Sequence, residues 1–350
     1  LPDRDGVPDR DHRVNPRRGA GLPSAPPDPT RAPRRAMVSA PPLQSPQRPA
    51  DPPGEAAGPA ASGGDHALGL IQRQTRRLGT IHPKVLADAD PEDLHQLRVS
   101  LRRLRTALGQ FAPALVLPAP ISDGRIARVA RRTGLTRDLD VIGERLRTSL
   151  LPPLPDSEKK AMRPVLQRLA RDRRLAFGEL VEALNGSGYL RLLSSLQRWQ
   201  RRPVFTALGQ TALQERLLEW KLPIVSGLFL HPGWSADDPA SEDLHALRKR
   251  IKGVRYALEN LEPFLDPEVV GWIGQLKRAQ DELGTLHDLQ VLQERLADRR
   301  GSGRTGPIPS LKAELRRQQE EHWRGWRERA AEMAGAPGRL RLHRHLLGLA

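Results

Sequence analysis

The sequence predicts an all-α protein: two similar helical bundles in tandem, preceded by a disordered tail. Three observations predict this. From His66 onward the apolar residues recur with a helical period, and no convincing strand is visible. The stretch Asp93–Leu108, DLHQLRVSLRRLRTAL, returns as Asp243–Leu258, DLHALRKRIKGVRYAL. A second stretch, Gly134–Leu146 (GLTRDLDVIGERL), returns at the same offset as Gly284–Leu296 (GTLHDLQVLQERL). Two separate matches at one offset define a tandem repeat of about 150 residues, which predicts two bundles related by a pseudo-two-fold.

Residues 1–64 are rich in Pro, Gly, Arg and Asp and carry no apolar period. Such a segment buries too little surface to offset chain entropy, so a disordered tail is expected. A first helix covers Leu68 to Ile81. Asp90-Pro91 is a start signal, with Asp as N-cap and Pro in the first turn. The motif helix follows, to about Phe111. Helical segments run from Asp123 to Leu150 and from Asp156 to Leu184, Gly186 to Gly188 interrupts, and Tyr189 to Arg201 is helical again. The second half begins near Val204, so the helical domain, 65–347, divides into 65–203 and 204–347. Thr206 to Leu230 reads as helix, ended by His231-Pro232-Gly233. The second motif helix spans Ser241 to Leu261. Pro267 to Leu283, His287 to Arg299, Ile308 to Met333 and Leu340 to Leu347 follow, with a flexible loop over Gly301 to Pro309.

In the doubled motif His95, Arg98, Arg102 and Arg105 match His245, Arg248, Lys252 and Arg255. At about 100° per residue these positions occupy roughly one quarter of a helix circumference. The leucines at 94, 97, 101, 104 and 108 fill the adjoining arc, matched by Leu244, Leu247, Ile251, Val254 and Leu258. Each copy is a helix with an apolar stripe beside a basic stripe. One such stripe alone reads as a solvated face. Two copies that keep the same four positions, while the polar residues between them change, point to a groove.

The 350 residues carry a formal net charge of +16, which implies an anionic partner. Cysteine is absent, which excludes disulfides, thiolate metal sites and a cysteine nucleophile, and fits a reducing, cytoplasmic compartment. Aromatics make up only 4%, which argues against a base-stacking surface. No window approaches a membrane span. A metal site is not expected, because basic neighbours of His95 and His245 repel a cation. Gly301 to Gly306 matches G-x-G-x-x-G but lacks the strand–turn–helix setting of a dinucleotide site. Asp138 and Asp288 are candidates for metal-assisted phosphoryl chemistry, against a favoured structural role as helix caps or arginine partners.

The H-x-x-R-x-x-x-[RK]-x-x-R helix, present twice, resembles the conserved-histidine α-helical domain, or CHAD, family. Arg137 to Val141 (RDLDV) and His287 to Val291 (HDLQV) resemble it too. The resemblance covers roughly Asp65 to Leu347. It implies two four-helix-bundle-like halves, a non-enzymatic module that binds inorganic polyphosphate, and association with polyphosphate granules. It implies a binding set of His95, Arg98, Arg102, Arg105, Arg137, His245, Arg248, Lys252, Arg255 and His287, with no cofactor. Nucleic acid is the less favoured partner, and a polyphosphate hydrolase the alternative activity. A fused triphosphatase domain, common in relatives, has no E-x-E-x-K motif here. Gly253 departs from the first copy, where Arg103 stands, and weakens that helix slightly.

Overall fold

The computed structural model describes residues 61–297 and 306–349, all within one compact unit. Residues 1–60 of the expected tail, and all of the G-x-G-x-x-G stretch except Gly306, lie outside the described residues. The described residues are α-helical, with short 3-10 and π turns and two isolated β-bridges, but no strand. None of the described helices is long and apolar enough to cross a membrane.

Helix α1 (Gly63–Ala87) starts inside the segment read as tail. The Ser62 hydroxyl caps it by accepting from the Asp65 N–H at 3.0 Å. Its first turn uses glycine for contact rather than freedom: a Cβ on Gly64 would stand 2.5 Å from the Phe205 ring. Helix α2 (Pro91–Gln110) carries the first motif and α9 (Glu242–Glu259) the second. Asp90 and Ser241 cap them, accepting from Glu92 N at 2.8 Å and from Asp243 N at 3.2 Å. Both leucine stripes are buried, with Leu97, Leu101, Leu104, Leu247, Ile251 and Leu258 wholly so. The two helices pack directly on each other.

Three expectations change. The span Asp123 to Leu150 is not one helix but α3 (Asp123–Arg132) and α4 (Gly134–Arg145), broken at Thr133 and followed by a π turn, Leu146–Leu150. By contrast, α10 (Pro267–Ala297) runs straight through Gly284; an interior glycine costs only about 1 kcal/mol, which packing on both sides offsets. Most of Thr206 to Leu230 is not a continuous helix either. It holds α7 (Ala207–Gln210), a 3-10 turn and α8 (Leu217–Val225). Its backbone groups are spent elsewhere: Thr206 N donates to Ala114 O, Leu213 N to Ala61 O, and Thr211 O accepts from Gly63 N. Helices α5 (Asp156–Asn185) and α6 (Ser187–Arg201), and their counterparts α11 (Pro309–Ala334) and α12 (Ala336–Leu347), form where expected.

Two apolar clusters hold the helices together, and neither coincides with a repeat half. The larger joins Ile71, Leu97 and Leu192 to Leu247, Trp272, Trp326 and Leu342. The smaller joins Leu139, Leu146 and Met162 to Leu289, Leu292, Leu311 and Leu315. Residues on both sides of position 203 share each cluster.

Candidate functional site: a basic cluster between the two motif helices

The leucine stripes turn into the core, and the adjoining basic stripes therefore meet where α2 passes α9. The sites act on one another electrostatically. His95 is held down by burial and by Arg137, Arg102, Arg98 and Lys252. Lys252 is held down by burial and by Arg248, Arg102, Arg98 and Arg255. His287 feels Arg248, Lys249 and Lys252 in the same sense. Members of both repeats, from α2, α4, α9 and α10, thus stand in one neighbourhood.

Partners within the protein sort the ten expected residues into two groups. Arg105 is engaged by a two-pronged ion pair with Asp123, at 2.7 and 2.9 Å, at the exposed end of the stripe. Arg255 is buried and bonded to Glu259 and to Gln280 Oε1 (3.2 Å), with its guanidinium over the Tyr256 ring at 4.3 Å. The other arginines are less fully engaged. Arg98 donates to Thr133 Oγ1 at 2.8 Å, Arg102 reaches the Tyr256 hydroxyl at 3.5 Å, and Arg137 reaches Pro91 O at 3.4 Å. Among the described residues Arg248 Nε and His245 Nδ1 are buried with no hydrogen-bond partner. The His245 ring stacks on His287, centroids 4.4 Å apart.

The repeats differ in how they hold their first arginine. Thr133 sits at the α3–α4 break, fully buried; its hydroxyl donates to Ala130 O at 2.7 Å and accepts from Arg98. The equivalent position is Leu283, inside unbroken α10, and offers Arg248 no oxygen. The matched glycines lie beside the motif arginines in both copies. A Cβ on Gly134 would lie 3.6 Å from Arg98 Nη1, and one on Gly284 3.4 Å from Arg248 Nη2. Both are ordinary van der Waals contacts, so the guanidinium packing does not itself require glycine.

Asp138 and Asp288 are not helix caps; they lie within α4 and α10. They face the cluster instead. Burial raises both carboxyl pKa values, against the pull of Arg98 on Asp138 and of Arg248 on Asp288, and each carboxylate stands within the other's field or that of its arginines. Burial and cationic neighbours push the imidazoles of His95 and His245 down to about 4, so both are neutral at neutral pH. Among the described residues no three His, Cys, Asp or Glu side chains gather as a metal site. Sequence reasoning missed Thr133 and Tyr256, the polar anchors for Arg98 and Arg102. A threonine one residue before the repeated glycine was the only available signal.

The CHAD domain model matches residues 69–297. The chain belongs to the CHAD family. Its fold is similar to the crystal structure of the CHAD domain from the plant Ricinus communis, at 22% identity and a TM-score of 0.53, over 83% of this chain and 93% of that one. It is also similar to PptA from Streptomyces chartreusis, at 20% identity and a TM-score of 0.56, over 77% and 99%. No curated protein sequence matches the chain.

Proposed function

We propose that this CHAD protein is a non-enzymatic module that binds inorganic polyphosphate in the basic cluster between α2 and α9, in the cytoplasm and at polyphosphate granules. One observation carries the reading: half-buried cations of both motif copies stand close enough to act on one another, and among the described residues Arg248 Nε and Lys252 have no hydrogen-bond partner. Like charges gathered in a half-buried site repel one another more strongly than they would in water. A linear polyanion offsets that repulsion and supplies the acceptor that Arg248 Nε lacks. The doubled motif also supports two pseudo-symmetric halves, 65–203 and 204–347, each presenting one stripe to the same ligand.

The test is retention of long-chain polyphosphate, with RNA and DNA as competitors. Reversing Arg102 and Lys252 together to Glu should weaken binding at least a hundredfold. Reversing the exposed Arg324 and Arg327 of α11 replaces as many basic residues by Glu and should cost only a few-fold. Equal losses would mark the stripe as a solvated face, and displacement of polyphosphate by RNA at low excess would favour a nucleic-acid binder. Affinity should also fall by orders of magnitude over a few-fold rise in salt. Phosphate release from polyphosphate with Mg²⁺, abolished by Asp138→Asn, would overturn the non-enzymatic reading.

A further inference from the structure

Of the three cationic positions repeated in the motif, two keep arginine in both copies. The third is Arg102 in the first copy and Lys252 in the second. The difference matters because arginine does not give up its proton in a protein, whereas a buried lysine does. Lys252 is half-buried on the face of α9 that meets α2. Among the described residues it has no hydrogen bond and no ion pair, whereas Lys277 pairs with Asp281 at 3.2 Å.

Its surroundings are nearly all basic. From α2 it faces His95, Arg98 and Arg102; from its own helix, Arg248 and Arg255; from α10, His287 and Asp288. Arg137 and Asp138 of α4 stand next to those groups. Helix α8 packs on the side of α9 that carries Arg250, whose guanidinium bonds the carbonyls of Ile224 and Ser226. The Asp288 carboxylate acts on Lys252, but burial and four guanidinium groups are the larger influences.

We propose, building on the polyphosphate reading, that Lys252 is neutral in the empty site and is protonated by solvent as polyphosphate binds, so that affinity rises as pH falls. The step is a proton transfer only. The Nζ lone pair accepts a proton from water or buffer acid, and no bond of the phosphate chain breaks. Burial and then Arg248, Arg102, Arg98 and Arg255 hold the amine at about 6 in the empty protein. A polyanion at the same place reverses the balance of charge and raises that value. Below the empty-site value the lysine is already charged and binding takes up no proton there. Between the empty and the bound value each binding event captures a proton, so affinity falls by up to about tenfold per pH unit as pH rises. The histidines are present in both wild type and Lys252→Arg, so the comparison of the two removes their share of any proton uptake. His95 and His245 sit near 4 in the empty protein, and His287 lies below its ordinary value.

The variant to make is Lys252→Arg, the residue the first repeat already uses. Calorimetry with long-chain polyphosphate, in buffers of different ionisation enthalpy near pH 7.5, counts protons captured on binding. Wild type is expected to capture about one more proton than Lys252→Arg, and the variant's affinity to be the flatter with pH. Equal proton uptake by the two folded proteins overturns the proposal. A ligand-free arm stands apart from binding: NMR of ¹³C-methylated lysines, with the Lys252 signal identified by its loss in Lys252→Arg. A midpoint well below the ordinary lysine value is expected; a midpoint near about 10.4 overturns the proposal whether or not polyphosphate binds. Wild type that fails to bind polyphosphate at any pH sinks the functional reading itself, whereas pH-independent binding sinks only the role of Lys252.

Discussion

At the scale of single residues, identical motif letters do different work. Arg98 and Arg248 align, yet one is anchored on a threonine hydroxyl and the other is left with a bare Nε. Arg105 and Arg255 align, yet one makes an exposed ion pair and the other is a buried strut. Arg255 and Glu259 are mostly shielded from water, and Arg103 adds a third charge 2.7 Å from Glu259. Breaking such a pair leaves a charge with part of its compensation gone. Arg255→Ala should therefore destabilise the fold by on the order of 3 kcal/mol, read by urea unfolding. Variant protein that remains folded should keep polyphosphate affinity within a few-fold, because Glu259 and Gln280 already occupy that guanidinium. A stability change below about 0.5 kcal/mol, with binding abolished, would instead place Arg255 among the ligand contacts.

At the scale of elements, most helices stand where the apolar period puts them, but their breaks and ends are settled by long-range partners. The start of α11 shows this. Its first turn leaves backbone N–H groups without partners, and Glu158 of α5 supplies the acceptors. Oε1 accepts from Ser310 N at 2.9 Å and Oε2 from Leu311 N at 3.0 Å. The carboxylate is only 4% exposed. Burial works to raise its pKa, but the hydrogen bonds from Ser310 and Leu311 outweigh it and the net shift is downward. A carboxylate depressed in the folded state stabilises above its unfolded value and loses that stabilisation as pH falls through the folded value. Glu158→Ala should then cost about 2 kcal/mol near neutral pH and speed amide exchange at 310–315, and the difference from wild type should shrink as pH falls below the ordinary glutamate value and through the lower folded one. A difference that stays the same as pH falls would show that Glu158 acts by packing alone.

At the scale of the whole molecule, the repeat in sequence is not a repeat of independent cores. Leu97 and Leu247 are buried in one cluster, and Met162 and Leu292 in another. A segment ending at 203 would expose half of each. Separately expressed 65–203 and 204–347 are therefore expected to lack cooperative unfolding, while the intact chain unfolds as one unit. Cooperative thermal unfolding of either piece, followed by circular dichroism, would show that the halves fold as autonomous bundles. The shared core also serves the site, because it presses α2 against α9 and holds their cationic stripes together.

What the sequence by itself determined is what depends on local period and on self-comparison. The helix class, the cap at Asp90, the buried leucine stripes and the adjoining basic stripes all follow from spacing along one helix. What only the tertiary structure decided depends on which partners the folded chain brings within a few ångströms. The repeated glycines illustrate it: Gly134 opens a helix and Gly284 lies inside one, yet each lies beside a motif arginine of another helix. The identity of the free donors, the anchoring by Thr133 and the isolation of Lys252 among arginines are equally matters of distance. Periodicity places a side chain on a face; it carries no information about the charge on the facing helix, and that charge decides whether a cation is paired, buried or left for a ligand.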